Sequence, residues 1–275
     1  ELIYNNELAT CIYELGYKGI IAEGWPTALE IDHPNHLHQA KLVPLHPNDE
    51  KIMKKIAFKD WTGLRPKKGE NLPVLTKNFK LSDDMAFRFG DKNWANHPLH
   101  ADTFAKWVDE SPGDTVNLFM DFETFGEHQW EDTGIFKFFE ALPKEFWKRN
   151  IKFRTPSETV AALEPQGVYE TETWVSWADE ARDISAWLDN DLQHSAYEVL
   201  KELEGKLHPY LKSKKTKWVD LLENFRRLQT SDHLYYMSTK YWADGDVHTY
   251  FSPYESPYDA YINFMHVAEE IKKRI

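Results

Sequence analysis

The sequence predicts an α/β fold over residues 1–165, followed by an all-helical domain over residues 166–275. In residues 81–165, short apolar runs alternate with stretches of about ten residues in which apolar side chains recur at helical spacing. Such alternation is typical of parallel strands joined by helices, in a sheet or a barrel. Beyond Pro165 the alternation stops, and three amphipathic helical stripes follow, at 179–204, 216–228 and 258–271.

The start of the chain predicts one helix and one strand. Asn5 or Asn6 can cap a helix with one apolar face, and Gly16 can end it. Residues 19–22 then form a short apolar run that is typical of a buried strand.

Further strands and helices are predicted by apolar runs and capping residues. The predicted strands are residues 85–89, 116–120 and 151–153. The helices between and after them are expected to begin at Asp102–Thr103, at Asp132 and at Thr155. The last of these starts with a capping box, Thr-Pro-Ser-Glu, which also places a proline at the first helical position.

Residues 23–80 are rich in proline and predict an irregular surface excursion between the regular elements. This segment contains a group of histidines beside an aspartate: Asp32, His33, His36, His38 and His46. Such a group could hold zinc, but neither a helical nor a strand spacing puts all these side chains on one face. We therefore expect no metal, and we expect no cofactor.

Composition narrows the class of partner. The net charge of -12, from 33 basic and 45 acidic residues, argues against a nucleic acid or an anionic membrane surface. Cys11 is the only cysteine, so no disulfide framework is expected. No apolar run has the length of a membrane span, and no signal peptide is visible, so we expect a cytoplasmic location. Aromatic residues make up 15% of the chain; most belong to the core, and some could stack on sugar rings.

The stretch most informative about function is TVNLFMDFETFGEHQW, residues 115–130. An apolar run leads into Asp121, Glu123, Glu127 and His128. Carboxylates just beyond the C-terminal end of a buried strand lie where α/β folds keep their catalytic groups. In an extended chain Asp121 and Glu123 would point to the same face, and aromatic residues surround them. These features favour a functional site over a solvated acidic loop.

The ten residues DFETFGEHQW, 121–130, resemble the fourth signature region of the starch-acting glycoside hydrolases of family 57, most closely the α-amylase branch. The resemblance implies a partial (β/α)7-type barrel with parallel strands and an α-glucan substrate. It also implies that Asp121 is the general acid/base.

Two further stretches resemble signature regions of the same family. ELIYNNELA at the start of the chain is similar to the third region, whose glutamate is the nucleophile. That role falls on Glu1, with Glu7 as a second possibility. SDHLYYMSTKYW, residues 231–242, is similar to the fifth region, which belongs to the helical domain and helps to line the cleft.

These matches predict a retaining glycosidase that acts on α-1,4-glucans. Retaining enzymes use one carboxylate as the nucleophile and another carboxyl group as the acid and then the base. The catalytic pair is expected to be Glu1 and Asp121, and the like charge of Glu123 could help Asp121 to keep its proton. The expected substrate-binding or positioning side chains are Arg88, Glu123, His128, Trp130, Asp232, His233, Tyr235 and Tyr236.

The first two signature regions of the family do not precede Glu1 in this sequence. We therefore expect either that about half of the barrel is absent or that the chain is a divergent copy. With half of the barrel absent, we expect low activity for this chain alone, and poor solubility or association into oligomers. The same residues also leave a 4-α-glucanotransferase possible, because hydrolysis and transfer differ in the acceptor. Two different functions also remain open. One is a metal-dependent carbohydrate deacetylase that uses Asp121, His128 and the histidine group, and the second is a glucan-binding protein without activity.

Overall fold

The computed structural model describes residues 1–29, 33–45, 71–240 and 252–275. Its strands are β1 (Ile20–Glu23), β2 (Leu37–Ala40), β3 (Pro73–Lys77) and β4 (Gly167–Tyr169). Its α-helices are α1 (Asn6–Glu14), α2 (Phe79–Ala86), α3 (Ala101–Glu110), α4 (Ile135–Lys148), α5 (Pro156–Ala162), α6 (Asp191–Leu207), α7 (Thr216–Leu228), α8 (Asp232–Tyr235) and α9 (Pro257–Arg274). Within these ranges, no helix is both long enough and apolar enough to span a membrane.

The described residues form two compact units. The first, here called the sheet unit, comprises Leu2–Ser176, and the second, the helical unit, comprises Glu1 and Trp177–Ile275. Strand β4 pairs with β2 and so belongs to the sheet unit. The sheet unit therefore continues past the domain boundary predicted at residue 165.

The four described strands form one sheet in the order β1-β3-β2-β4. β1 pairs with β3 and β2 pairs with β4 in parallel, whereas β2 and β3 are antiparallel. The α/β class is thus confirmed, and most of the pairing is parallel as predicted. The strands pair in a linear order in the described residues, and the barrel remains a prediction.

Tyr4, which lies just before α1, contacts strand β4 through a buried aromatic pair. The rings of Tyr4 and Tyr169 meet edge to face, 4.7 Å apart between centroids, and neither ring is exposed. Tyr169 donates a hydrogen bond to the backbone oxygen of Glu23 at 2.7 Å. Burial raises the pKa of both phenols far above its ordinary value, so both hydroxyls stay neutral donors.

The prediction of an irregular excursion over residues 23–80 is wrong where the structure describes this segment. Strands β2 and β3 both lie inside it, and His38 on β2 is fully buried. These strands are only four and five residues long. Their hydrogen-bonding partners are remote in sequence, so local pattern gave little sign of them. Asp32 and His46 lie outside the described residues.

The three strands predicted after residue 81 are not present as regular strands. Residues 85–86 end α2, which begins after Asn78, whose side chain accepts a hydrogen bond from the backbone of Leu81 at 3.1 Å. In residues 116–120 only Asn117 forms a parallel bridge, to Lys77. Residues 151–153 have no strand pairing. The apolar runs at these places pack into the core without forming a ladder.

The predicted helices of the sheet unit are present. Of the three N-caps predicted after residue 81, one is observed at the predicted residue and two are observed at other residues. Thr155 forms the predicted capping box at the start of α5, and at the other end of the unit Asn5 caps α1. The N-cap of α3 is His100, two residues before the predicted cap at Asp102. Helix α4 starts after Gly134, because a 3-10 turn occupies Glu131–Thr133 and Gly134 takes a φ of 85°.

The helical unit contains the predicted stripes at α7 and α9. These two helices and α6 pack against one another. The buried apolar residues of the three helices include Leu203, Leu207, Leu221, Phe225, Phe264 and Ala268. The stripe predicted from residue 179 is wrong in its first part, because α6 begins only after Asn190. Residues 177–190 form a loop instead, in which Asp179 and Arg182 have positive φ values of 42° and 53°.

Candidate active site

The motif that begins at Asp121 is a tight turn rather than the end of a strand. Asp121 precedes a 3-10 turn at Phe122–Thr124, and its backbone oxygen accepts a hydrogen bond from the Thr124 amide at 3.2 Å. The alternation expected for an extended chain therefore does not apply to Asp121 and Glu123. Both residues are exposed to solvent.

The rest of the motif closes into a loop that is anchored by one buried side chain. The Gly126 amide donates to the Gln129 backbone oxygen at 3.0 Å, and Gly126 has a φ of 115°, which favours glycine. The Gln129 side chain is 3% exposed and donates to the backbone oxygen of Ala86 at 3.0 Å. Gln129 thus fastens the loop to the end of α2. Sequence reasoning missed this role, although Gln129 lies within the motif.

Exposed aromatic side chains lie within the motif and beside it. Phe122, between Asp121 and Glu123, is 94% exposed, and Trp130 is 59% exposed. Phe87, at the end of α2, is also exposed, and its ring lies 6.0 Å from that of His128 between centroids. Phe122 and Phe87 were not among the predicted site residues. Contiguous exposed apolar surface marks a binding site, and these rings could contribute to one.

Arg88 is held by its own helix neighbourhood. Its Nε donates to Asp84 Oδ1 at 2.6 Å, and its guanidinium also donates to the Lys80 backbone oxygen at 3.0 Å. Arg88 therefore orients the carboxylate of Asp84 in this structure.

A buried group of charges lies at the carboxyl ends of β1 and β3. Lys77 Nζ is 3.6 Å from Glu23 Oε2 and 3.4 Å from Asp83 Oδ1. Next to it, the Asn117 side chain donates to the Thr76 backbone oxygen at 3.0 Å. The segment that leads to Asp121 is thus attached to the end of β3. Sequence reasoning missed the charge group, because its members are far apart in the chain.

Glu1 belongs to the helical unit, where it is bonded to one residue through both backbone and side chain. The Trp177 amide donates to the Glu1 backbone oxygen at 3.1 Å, and the Trp177 indole donates to Glu1 Oε2 at 2.9 Å. Glu7, the second candidate nucleophile, lies in the first turn of α1 and is exposed.

The predicted binding residues of the helical unit gather around the short helix α8. The His233 ring lies 6.1 Å from that of Phe264, and Tyr235 lies 6.1 Å from Trp187, between ring centroids. The ring of Tyr236 lies 6.1 Å from that of Tyr254.

The surroundings of Tyr236 favour its neutral form further. Its partial burial, and then the negative charge of Asp232, raise its pKa. Asp232 itself, in the first turn of α8, is exposed. A carboxylate acceptor and a neutral phenol donor are therefore available in this segment, and both are groups that can bind sugar hydroxyls.

Buried polar contacts tie the loop 177–190 to the segment 231–240. The Gln193 side chain is fully buried and donates to the backbone oxygens of Ala186, at 2.8 Å, and Leu234, at 3.0 Å. Lys240 Nζ is 3.4 Å from Asp179 Oδ2, whose side chain is 1% exposed.

Asp183 contributes a further charge to this loop. Burial acts to raise the pKa of Asp183, but hydrogen bonds from Ser185 and the charge of Lys240 outweigh it, so the pKa is lowered. The loop therefore carries an ionised carboxylate held by specific donors.

The histidine group does not form a metal site in the described residues. The His36 Nδ1 lies 3.4 Å from Asp114 Oδ2, and the His38 Nε2 lies 3.3 Å from the His33 backbone oxygen. No group of three or more histidine, cysteine, aspartate or glutamate side chains in the described ranges is arranged to hold a metal ion.

Comparison with known proteins defines the class. The model of glycosyl hydrolase family 57 matches residues 1–172, and the chain belongs to that family. A relative from Methanocaldococcus jannaschii, named "Putative alpha-amylase", is 38% identical over 274 residues. The match covers 97% of this chain and 52% of the relative, so the chain spans about half the length of that protein. The family is one of glycoside hydrolases, whose substrates are carbohydrates.

Proposed function

We propose that this chain is part of an α-amylase-like retaining glycosidase acting on α-1,4-glucans. Its family membership and the ten-residue motif DFETFGEHQW carry the proposal. The position of Asp121 supports it, since this carboxyl group is exposed on an anchored loop and is flanked by exposed aromatic rings. In this proposal the sheet unit, which carries Asp121, is part of a (β/α)7-type barrel, and residues of the helical unit line the cleft.

The proposed mechanism assigns one role to each carboxyl group. Asp121 donates its proton to the glycosidic oxygen while Glu1 attacks the anomeric carbon, so the leaving sugar departs as an alcohol and a glycosyl ester of Glu1 forms. Asp121, now a carboxylate, then takes a proton from water, whose oxygen attacks the same carbon and releases Glu1. Two inversions at this carbon give net retention of configuration.

The other predicted residues act on the substrate by stacking and hydrogen bonding. Trp130 and Phe122 offer exposed rings for the C–H faces of glucose units. His128, Asp232 and Tyr236 offer polar groups for sugar hydroxyls. The remaining residues of the proposed substrate-binding set are Glu123, His233, Tyr235 and Arg88. Arg88 would act through its hydrogen bond to Asp84.

A 4-α-glucanotransferase is the second candidate, because the same glycosyl ester can pass to a sugar hydroxyl instead of water. Product analysis separates the two, since transfer gives glucans longer than the substrate and hydrolysis does not.

The role of Asp121 is tested by Asp121→Asn in the full chain, with a chromogenic maltooligosaccharide as substrate. General acid/base catalysis contributes about 10²–10⁴-fold, and we expect kcat to fall within that range. A glycosyl fluoride needs no protonation to leave, so it should restore the first step, and added azide should yield a glycosyl azide. The matched control Asp109→Asn changes an exposed aspartate on α3 and should keep full activity.

Glu1→Gln should abolish turnover, whereas Glu7→Gln should preserve it. Unchanged cleavage in Asp121→Asn or in Glu1→Gln would remove that residue from the mechanism. A wild-type chain that binds maltooligosaccharide without cleaving it would instead favour a glucan-binding protein.

A further inference from the structure

Trp177 holds Glu1 at two points. Its backbone amide donates to the Glu1 backbone oxygen at 3.1 Å, and its indole Nε1 donates to Glu1 Oε2 at 2.9 Å. A long carboxylate side chain on an exposed residue normally samples several rotamers. Here the backbone and the carboxylate of Glu1 are bonded to the same neighbour, which restricts those rotamers.

Trp177 is itself held by the loop that follows it. Arg182 donates to the Trp177 backbone oxygen at 3.1 Å. Arg182 and Asp179 both have positive φ values, which are uncommon for residues other than glycine. Asp179 in turn is paired with Lys240. The indole N–H is therefore presented to Glu1 from a constrained loop.

The chemistry of this contact suits a nucleophile. An indole is a neutral group with one hydrogen-bond donor and no acceptor, so it binds one carboxylate oxygen and leaves the second oxygen unbound. The other oxygen, Glu1 Oε1, accepts no hydrogen bond within the part of the chain that the structure describes. An arginine would instead bind both oxygens with a full positive charge. Among the described residues, the tryptophan therefore orients the carboxylate of Glu1 through one oxygen and leaves the lone pairs of the other oxygen available.

We propose that Trp177 is the residue that positions the Glu1 carboxylate for attack on the anomeric carbon. This inference rests on the proposed role of Glu1 as the nucleophile. In it the indole N–H holds Oε2, and Oε1 forms the bond to the sugar. Trp177 thereby acts through Glu1 and does not itself enter the reaction.

The decisive variants remove the N–H while keeping a ring. They are Trp177→Phe and replacement of Trp177 by benzothienylalanine, in which sulfur takes the place of the N–H in a ring of nearly the same shape. A hydrogen bond to a charged group is worth a factor of about 10 to 100. We expect kcat to fall by that factor in both variants, with KM changed by less than about twofold. The control Trp174→Phe, at an exposed tryptophan, should keep both constants.

A second measurement needs no turnover. In a ¹H–¹⁵N spectrum the indole resonance of Trp177, identified by its loss in Trp177→Phe, should move in Glu1→Gln. The indole resonance of Trp174 should stay in place in Glu1→Gln. An unmoved Trp177 resonance would mean that the hydrogen bond is absent in solution and would overturn the inference.

The outcomes separate the two proposals. If Glu1→Gln abolishes turnover while both Trp177 variants keep full kcat, the positioning role is wrong and the nucleophile stands. If Glu1→Gln keeps full turnover, or the wild-type chain cleaves no α-glucan, the proposed function fails and this inference falls with it.

Discussion

Glu23 and Lys77 are partners in both strand register and charge. Their Cα atoms pair at the carboxyl ends of β1 and β3, and Glu23 Oε2 lies 3.6 Å from Lys77 Nζ. Their side chains are 1% and 6% exposed, and Asp83 is a third member of the group. The isolated bridge from Lys77 to Asn117 then connects this buried charge group to the segment that leads to Asp121.

Lys77→Met should destabilise the protein strongly, because it leaves two carboxylates without their buried cation. Loss of one partner from a buried ion pair costs about 3–5 kcal/mol. Urea unfolding measured at neutral pH would report it as a lower transition midpoint.

The matched control is Lys106→Met, which removes an exposed partner of Glu110 at 3.6 Å. Exposed pairs contribute about 0–1 kcal/mol, so its midpoint should barely move. Equal midpoints for the two variants would mean that the buried pairing contributes nothing beyond a surface contact.

Two glycine substitutions should act in opposite directions. Gly205 lies inside α6 with open space around the position of a Cβ, so Gly205→Ala should stabilise by about 0.5–1 kcal/mol. At Gly24 a Cβ would lie 2.1 Å from the backbone oxygen of Lys77, so Gly24→Ala should destabilise. Thermal unfolding of both variants beside the wild type checks the two signs. A destabilised Gly205→Ala would show that α6 is not continuous at this position.

The contribution of Glu202 to stability should depend on pH. Hydrogen bonds from Lys206 and then Lys272 lower its pKa from 4.5 to about 2. A carboxyl group with a depressed folded-state pKa contributes stability above its unfolded pKa, and this contribution is lost as the pH falls toward the folded value. The difference in melting temperature between wild type and Glu202→Gln should therefore be positive near pH 6. It should shrink between pH 4.5 and about 2.

Added salt should reduce that difference, because the group is exposed. Glu204→Gln is the control, since its side chain has no ion pair among the described residues of α6 and their neighbours. A difference that grows as the pH falls would contradict the ion pair between α6 and α9.

Local sequence determined the parts of the fold whose interactions are local. The cap at Asn5, the capping box at Thr155 and the helices α7 and α9 were all predicted, because their bonds and stripes span only a few residues. The motif beginning at Asp121 was also readable as a family signature, since it is continuous in the chain.

Tertiary structure decided which apolar runs became strands and which polar groups met. A short strand forms only where a distant segment provides hydrogen-bonding partners along its length. In residues 116–120, where a strand was predicted, Asn117 forms a single bridge to Lys77. The pairing of Glu23 with Lys77, and the hold of Trp177 on Glu1, join residues far apart in sequence. No local pattern encodes such contacts, because they form only when packing brings remote backbone segments together.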